Sequence, residues 1–166
     1  MRNVVLTIES TACDAAEAYL RIGKFERYPE LVDDVRSITV SSDDDHPGAL
    51  RSDWEVHFRN GPLRWSEVDT FEPDMLRITF EQTHGDFEFF HGVWEVEPLG
   101  AGCRVRFEVT FDFGIPSLEG VLEPIATKVL KEGIAYALLQ VLGDAAVVGD
   151  PAVSAALAAK LATTAA

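Results

Sequence analysis

Residues 103–142 read CRVRFEVTFDFGIPSLEGVLEPIATKVLKEGIAYALLQVL. Up to Phe113 large apolar residues alternate with polar ones, which is typical of a strand with one buried face. A Gly and a Pro then end the strand, and Ser117 is a predicted N-cap for a helix over 118–142. Pro124 lies inside that helix and predicts a kink or a later start. A long helix is therefore expected after the last of the strands.

The strand at 103–113 ends a predicted series. Towards the N-terminus, alternating apolar residues separated by Gly, Pro, Asn or Asp turns predict five further strands, at 35–41, 49–59, 63–72, 75–84 and 87–97. Asn60-Gly61, between two of them, is a typical hairpin turn. Before this series the pattern predicts a first strand at 3–9, a helix at 11–22 and a short second helix that begins near Pro29.

This order of elements predicts an α+β fold. About seven antiparallel strands joined by short turns leave one face of their sheet uncovered, and the long C-terminal helix must cover it. A curved sheet cannot contact a straight helix along its whole length, so we expect an internal cavity between them. We assign this ligand-binding domain to residues 1–145. Residues 146–166 form an Ala-rich tail that is either helical or loosely ordered.

Composition argues against several kinds of partner. The chain has 166 residues, 47% of them apolar, and a formal net charge of −14. A surface this acidic repels nucleic-acid phosphates and anionic lipid headgroups, so neither a nucleic acid nor a membrane is an expected partner. The N-terminus has no uninterrupted apolar segment, and Cys13 and Cys103 form no CxxC pattern. We therefore expect a cytoplasmic protein with two reduced cysteines.

Three short motifs occur in an order that resembles a known superfamily. They are Phe25-Glu26-Arg27-Tyr28-Pro29-Glu30-Leu31-Val32, then Trp65-Ser66-Glu67-Val68-Asp69, then Gly85-Asp86-Phe87 followed by Gly92-Val93-Trp94. Over residues 3–143 the chain resembles the START/Bet v1-like (SRPBCC) superfamily, in particular its polyketide cyclase/dehydrase (aromatase/cyclase) branch. It is also similar to coenzyme-Q-binding START proteins. The resemblance implies the helix-grip fold, in which a curved antiparallel sheet wraps a long C-terminal helix.

The resemblance implies a function as well as a fold. It implies a small hydrophobic or aromatic ligand, which an acyl carrier protein could deliver. The sequence itself has no nucleotide-binding motif and no His or Cys spacing typical of a metal site, so we expect no cofactor and no metal. Aromatase/cyclases of this branch carry an Arg and a Ser in the third strand, but Asp69 and Phe71 stand at those two places here. Val35 stands where they have a Tyr. An Asp can act as a general base, whereas a Phe cannot grip an enolate as an Arg does, so the mechanism of the branch does not transfer directly.

Glu67 and Asp69 are the first candidates for catalysis. Alternation along the strand at 63–72 places Trp65, Glu67 and Asp69 on one face. If that face is the inner one, burial beside a second carboxyl raises the pKa of one carboxyl, which can then act as a general acid or base. If the register is reversed, Val68 is inside and both carboxylates are in solvent. His84 is a third catalytic candidate, placed by alternation at the cavity mouth, with a surface histidine as the alternative.

The candidate ligand-binding residues are mainly aromatic. The strands carry more large rings than one helix needs for cover, so we expect the cavity to be lined by some of Tyr28, Trp54, Phe58, Trp65, Phe80, Trp94 and Phe107. For each ring alone, core packing is the alternative. Glu132 and Tyr136, one turn apart on the long helix, could add a hydrogen bond to a carbonyl.

One hairpin end carries a group of polar residues, Arg59, Asn60, Gly61 and Arg64. This group is either a cationic clamp for a carboxylate or phosphopantetheine, or a solvated hairpin with Arg–Glu pairs.

Two functions from different classes remain open. The first is a cofactor-independent polyketide cyclase or dehydratase that orients a poly-β-keto or aromatic intermediate and moves a proton. The second is a carrier without catalysis that binds a lipid, quinone or aromatic metabolite. Glu67 and Asp69 favour the first, and Val35 and Phe71 favour the second. The sequence identifies neither the ligand nor the oligomeric state.

Overall fold

The computed structural model describes residues 1–43, 45–58 and 61–164. Within these ranges the chain forms one open sheet of eight antiparallel strands in the order β2-β3-β4-β5-β6-β7-β1-β8. The strands are β1 Arg2–Ser10, β2 Val35–Ser42, β3 Ala49–Phe58, β4 Gly61–Glu72, β5 Arg77–Gly85, β6 Phe89–Leu99, β7 Gly102–Asp112 and β8 Ala145–Val147. The predicted α+β helix-grip fold is confirmed, with a curved antiparallel sheet and one long C-terminal helix; the sheet has eight strands where about seven were expected.

Four helices accompany the sheet: α1 Ala15–Ile22, α2 Tyr28–Leu31, α3 Glu119–Leu142 and α4 Pro151–Thr164. Helix α1 begins later than the sequence predicted because the Asp14 carboxylate accepts a hydrogen bond from the Glu17 backbone N–H and caps the helix at that point. The cap predicted at Ser117 is wrong. A 3₁₀ turn over Pro116–Leu118 precedes α3, whose N-cap residue makes no side-chain bond.

Helix α3 lies against the inner face of the sheet. Its small residues Ala126, Ala135 and Ala137 are at most 1% exposed, so the backbone approaches its neighbours closely. The sheet contributes the apolar face of β7, where Val105, Phe107, Val109 and Phe111 are all buried as the alternation predicted. No helix in the described part of the chain is long and apolar enough to cross a membrane.

The C-terminal segment extends the sheet and then forms a helix. Strand β8 pairs antiparallel with β1 from Ile8↔Val147 to Ser10↔Ala145, and the Val148 N–H donates to the Thr7 carbonyl. The domain boundary drawn after residue 145 therefore falls inside β8. Helix α4 follows, and its Val153 and Leu157 are buried against the rest of the protein. Val153 and Leu157 are four residues apart and lie on one face of α4, so both pack against the rest of the protein.

Candidate functional site

A cavity of about 50 Å³ lies between α3 and the inner face of the sheet. The predicted arrangement, with walls from both helix and strands, is confirmed: α3 contributes Val129, Leu130, Gly133, Ile134 and Ala137. The other walls come from α2, from the segment that follows it and from strands β2 to β7; they are Tyr28, Val32, Asp34, Val35, Trp54, Val56, Trp65, Glu67, Phe80, Phe90, Trp94 and Phe107. Seven aromatic rings therefore surround a narrow apolar space.

Trp54 and Trp65 form a stacked pair on one wall. They are direct cross-strand partners on β3 and β4, with ring centroids 5.5 Å apart and an interplanar angle of 10°. Phe90 lies 5.0 Å from the Trp65 ring, and Trp94 lies 4.6 Å from Phe107. Each ring packs on others as well as on the cavity, so the walls are held in place by the same contacts that form the core.

The structure places Trp65, Glu67 and Asp69 on the inner face of β4. Glu67 is 3% exposed and Asp69 is fully buried. Glu67 reaches the cavity wall, whereas Asp69 lies behind it along the strand. The alternative register, with both carboxylates in solvent, does not occur. A buried carboxyl pair costs free energy unless one carboxyl keeps its proton and the oxygens find donors, so the hydrogen bonds around the pair are decisive.

A directional hydrogen-bond network surrounds the pair. The Trp54 indole N–H donates to Ser52 Oγ over 2.9 Å, and Ser52 in turn donates to Asp69 Oδ2 over 2.5 Å. On the other side, the Trp65 indole N–H donates to Glu67 Oε1 over 2.7 Å. Because Ser52 Oγ accepts from Trp54, its own proton is free for Asp69. Both indoles therefore supply protons towards the carboxyl pair.

The remaining oxygen of Asp69 identifies the residue that holds the acid proton. Asp69 Oδ1 is buried and receives no donor among the fixed N–H and O–H groups of the described residues. A protonated Glu67 carboxyl supplies that donor. Burial, followed by the neighbouring Asp69, raises the pKa of Glu67 well above its ordinary value. Burial also raises the pKa of Asp69, while its hydrogen bonds with Glu67 and Ser52 oppose that rise. The pair thus holds one proton, on Glu67, which donates it to Asp69 in the free protein.

His84 does not face the cavity. Strand β5 has an irregularity where Ser66 pairs with His84 but Glu67 pairs with Gln82, which leaves Thr83 as an extra residue. One inserted residue reverses the alternation, so His84 is exposed on the outer face beside Thr83. The prediction of a cavity-mouth position for His84 is wrong, because strict alternation was carried through a β-bulge.

Three further ligand-binding candidates also lie away from the cavity. Phe58 stacks on Phe113 at 6.0 Å. Tyr136 lies under Lys160 of α4, whose Nζ is 4.2 Å from the ring centroid. Glu132 is on α3 but is not among the residues of the cavity wall. The other candidates, Tyr28, Trp54, Trp65, Phe80, Trp94 and Phe107, do line it. The Tyr28 hydroxyl is already engaged, because it donates to the Ile22 carbonyl over 2.7 Å.

Ser52 is a residue of the candidate site that sequence reasoning missed. It is fully buried and is the cross-strand partner of Glu67. A signal was present: Ser52 is in phase with Trp54 and Val56 on β3, so the inner face predicted for those residues includes it. Phe90 and the wall residues of α3 were also missed, since alternation and helical spacing do not reveal how closely a given residue approaches its opposite wall.

The proposed cationic clamp is only partly within the described residues. Arg59 and Asn60 lie outside them. Arg64 is paired with Glu55 over 2.5 Å, and its backbone N–H donates to Asp86. The Arg64 side chain is 65% exposed. It belongs to a solvated hairpin rather than to the cavity.

A separate group of carboxylates is where a metal ion could be considered. Oxygens of Asp112, Glu119 and Glu123 lie within 4.8 Å of one another. The N-terminal ammonium of Met1 lies among them, 2.7 Å from Glu123 Oε1. That contact, with Asp112 and Glu119, raises the pKa of the amine to about 10. The group already has a cation, and we assign no metal to it.

Comparison with known proteins gives the family. The family described as polyketide cyclase/dehydrase and lipid transport matches residues 12–135. The chain is similar to ribosome association toxin RatA of Pseudomonas aeruginosa, with 24% identity over 108 residues, 64% of this chain and 73% of the relative. It is also similar in structure to TTHA0849 from Thermus thermophilus, with a TM-score of 0.73 and 25% identity over 85% of this chain and 94% of that one.

A second structural likeness concerns the fold alone. The Zhui aromatase/cyclase from Streptomyces sp. R1128 superposes with a TM-score of 0.66 at 16% identity, covering 86% of this chain and 92% of that one. Three quarters of the chain match the family, and the fold and cavity agree with it. The chain belongs to the polyketide cyclase/dehydrase and lipid transport family.

Proposed function

We propose that the protein binds a hydrophobic polyketide or aromatic intermediate in the cavity and promotes its cyclisation or dehydration, with Glu67 as the general acid. One observation carries the proposal: Glu67, the protonated member of a buried carboxyl pair, lies in the wall of an aromatic cavity. An acyl carrier protein would deliver such an intermediate as a thioester. The family match supports the same function.

The proposed chemistry uses the proton on Glu67. The cavity of about 50 Å³ must widen to admit the substrate between its aromatic walls. The Glu67 O–H then turns from Asp69 and donates a hydrogen bond to a ketone oxygen of that substrate. As an enol carbon attacks that ketone carbon, the Glu67 O–H bond breaks and the new hydroxyl O–H forms. The proton that leaves the enol oxygen returns to the Glu67 carboxylate, so no external acid is consumed. Asp69 acts through Glu67 as a positioning residue, because its hydrogen bond and its negative charge keep the proton on Glu67 until the substrate binds.

A second candidate function is transport without catalysis. Phe71 packs on Phe25 and Tyr19, with ring centroids 6.3 and 6.5 Å away, and is not among the residues of the cavity wall. Val35 lines the cavity as an apolar residue. Two positions that are polar in the enzymes therefore offer no polar group here. A carrier for a lipid, quinone or aromatic metabolite would need only the apolar walls.

The test is an assay of cyclisation with a poly-β-keto thioester analogue, on wild type and on Glu67→Gln and Asp69→Asn. Removal of a general acid lowers turnover by roughly 10²–10⁴-fold, so we expect such a loss for Glu67→Gln with little change in substrate affinity. Glu81→Gln is the matched control. It makes the same carboxyl-to-amide change on the exposed face of the neighbouring strand, opposite Val68, and should behave as wild type.

The outcomes separate the two functions. If Glu67→Gln and Asp69→Asn bind the analogue and turn it over like wild type, the proposed mechanism is wrong. If wild type binds the analogue at the cavity and turns none of it over, the carrier function is supported instead.

A further inference from the structure

The cavity walls carry an unusual balance of charge. Of the wall residues, Glu67 and Asp34 are acidic, and none of the wall residues in the described ranges is Lys, Arg or His. Asp34 is exposed at the solvent side, and Glu67 is buried at the inner end. The ionised member of the buried pair, Asp69, lies directly behind Glu67. The two charges along this path, on Asp34 at the solvent side and on Asp69 behind the protonated Glu67, are therefore both negative.

No described cation neutralises the buried pair. The groups that act on Glu67 and Asp69 are their own burial, each other, Ser52 and the Trp65 indole. These are neutral donors apart from the carboxylate itself. An anionic ligand group beside Glu67 would add a second negative charge in a space where water is scarce, and like charges at low dielectric repel strongly. A neutral carbonyl oxygen is not repelled by Asp69, and it can accept a hydrogen bond from the Glu67 O–H when that O–H turns from Asp69 to the ligand.

Resting on the proposed function, we propose that the cavity selects an uncharged aromatic carbonyl compound and excludes the corresponding carboxylate. The aromatic side chains of the walls bind the ketone and the carboxylate equally well, because both compounds have the same apolar ring. Discrimination arises at the functional group: the ketone accepts a hydrogen bond from Glu67, and the carboxylate is repelled by Asp69. The chemical class of the ligand therefore follows from the charge of the pair rather than from the shape of the walls.

Two isosteric probes test this selection. Acetophenone and benzoate differ by a methyl group in place of a charged oxygen. Each has a single ring, so among aromatic ligands they require little widening of the cavity of about 50 Å³. Their dissociation constants would be measured at pH 7 by ligand-observed NMR and calorimetry. We expect acetophenone to bind wild type at least tenfold more tightly than benzoate, a difference of about 1.4 kcal/mol.

Two variants assign the selection to the pair. Asp69→Asn removes the buried negative charge. It should lower the ratio of the benzoate dissociation constant to the acetophenone dissociation constant at least threefold. Glu67→Gln retains both that charge and an N–H donor, so it should keep the ratio, as should the outer-face control Glu81→Gln. Thermal unfolding of each variant verifies that it is folded.

Several results would overturn the inference. Equal or tighter binding of benzoate to wild type contradicts the exclusion of anions, and an unchanged ratio in folded Asp69→Asn contradicts its assignment to Asp69. If neither probe binds while the poly-β-keto analogue is turned over, the selection is refuted and the proposed function stands. Selective binding of acetophenone without turnover of the analogue supports the selection and refutes the catalytic function.

Discussion

Replacement of Ser52 by Ala tests the network that orients the carboxyl pair. In the structure the Ser52 hydroxyl accepts from the Trp54 indole and donates to Asp69, and it has no exposure to solvent. The variant removes one oxygen from a fully buried position. It leaves the carbon skeleton almost unchanged, so lost packing makes a small contribution to the result.

The expected cost follows from the two bonds. A hydrogen bond to a charged carboxylate contributes roughly 1.5–3 kcal/mol and a neutral one roughly 0.5–1.5 kcal/mol. Together they predict that Ser52→Ala lowers the free energy of unfolding by about 3 kcal/mol. For a chain of this size that corresponds to a fall in Tm of roughly 6–12 °C. The hydrogen bond from Ser52 also lowers the pKa of Asp69. Loss of the Ser52 hydroxyl therefore makes the ionised form of Asp69 less favourable.

Urea unfolding followed by circular dichroism at 222 nm measures this cost without relying on tryptophan. Ser66→Ala is the control: Ser66 donates to Asp53 on the outer face, where the Asp53 side chain is 45% exposed and water can replace the hydroxyl. We expect the control to cost less than about 1 kcal/mol. A cost below about 0.5 kcal/mol for Ser52→Ala would refute the idea that this hydroxyl holds the pair.

Two other predictions concern the proton and the sheet. The native state keeps the proton of Glu67 at pH values where the unfolded chain has lost it. The free energy of unfolding of the wild type therefore falls as the pH rises from the ordinary pKa of 4.5 towards the raised pKa of native Glu67. The fall is at most about 1.4 kcal/mol per pH unit. Glu67→Gln lacks this loss, so its stability relative to wild type should increase between pH 5 and 8 in urea titrations; a difference that does not vary with pH would mean that native Glu67 is ionised. Gly92→Ala should cost about 3 kcal/mol or more in thermal unfolding, because the new Cβ would lie 2.1 Å from the Glu108 carbonyl oxygen and 2.6 Å from Phe80 Cζ. A Tm close to that of wild type would show that β6 can move away from β7 at little cost.

The alternation of residues carried most of the prediction of the fold and part of the site. On β4 a regular period of two was enough to place Trp65, Glu67 and Asp69 together, and the structure has all three buried. The same rule failed for His84, because a bulge at Thr83 has no obligatory sequence signal and one extra residue reverses the face. The catalytic roles of Glu67, Asp69 and His84 remain predictions.

Residues on α3 were harder to assign for a different reason. A helix that contacts the sheet on one side and a second helix on another has more than one apolar face. Tyr136 lies on the face towards α4 and Ala137 on the face towards the cavity, although they are adjacent in sequence. Helix α4 packs through Val153 and Leu157, which lie in an Ala-rich segment. Helical spacing alone did not predict that this segment packs against α3.

The stacked pair of Trp54 and Trp65 has an optical consequence. Two indoles 5.5 Å apart couple their electronic transitions, so the pair should contribute a circular dichroism signal that disappears when the two rings separate. One ring is bonded to Glu67 directly, and the other reaches Asp69 through Ser52. A bound molecule or a lost proton must therefore disturb the chromophore itself. The protein carries a built-in spectroscopic label at the position where its chemistry is proposed, and no dye needs to be attached.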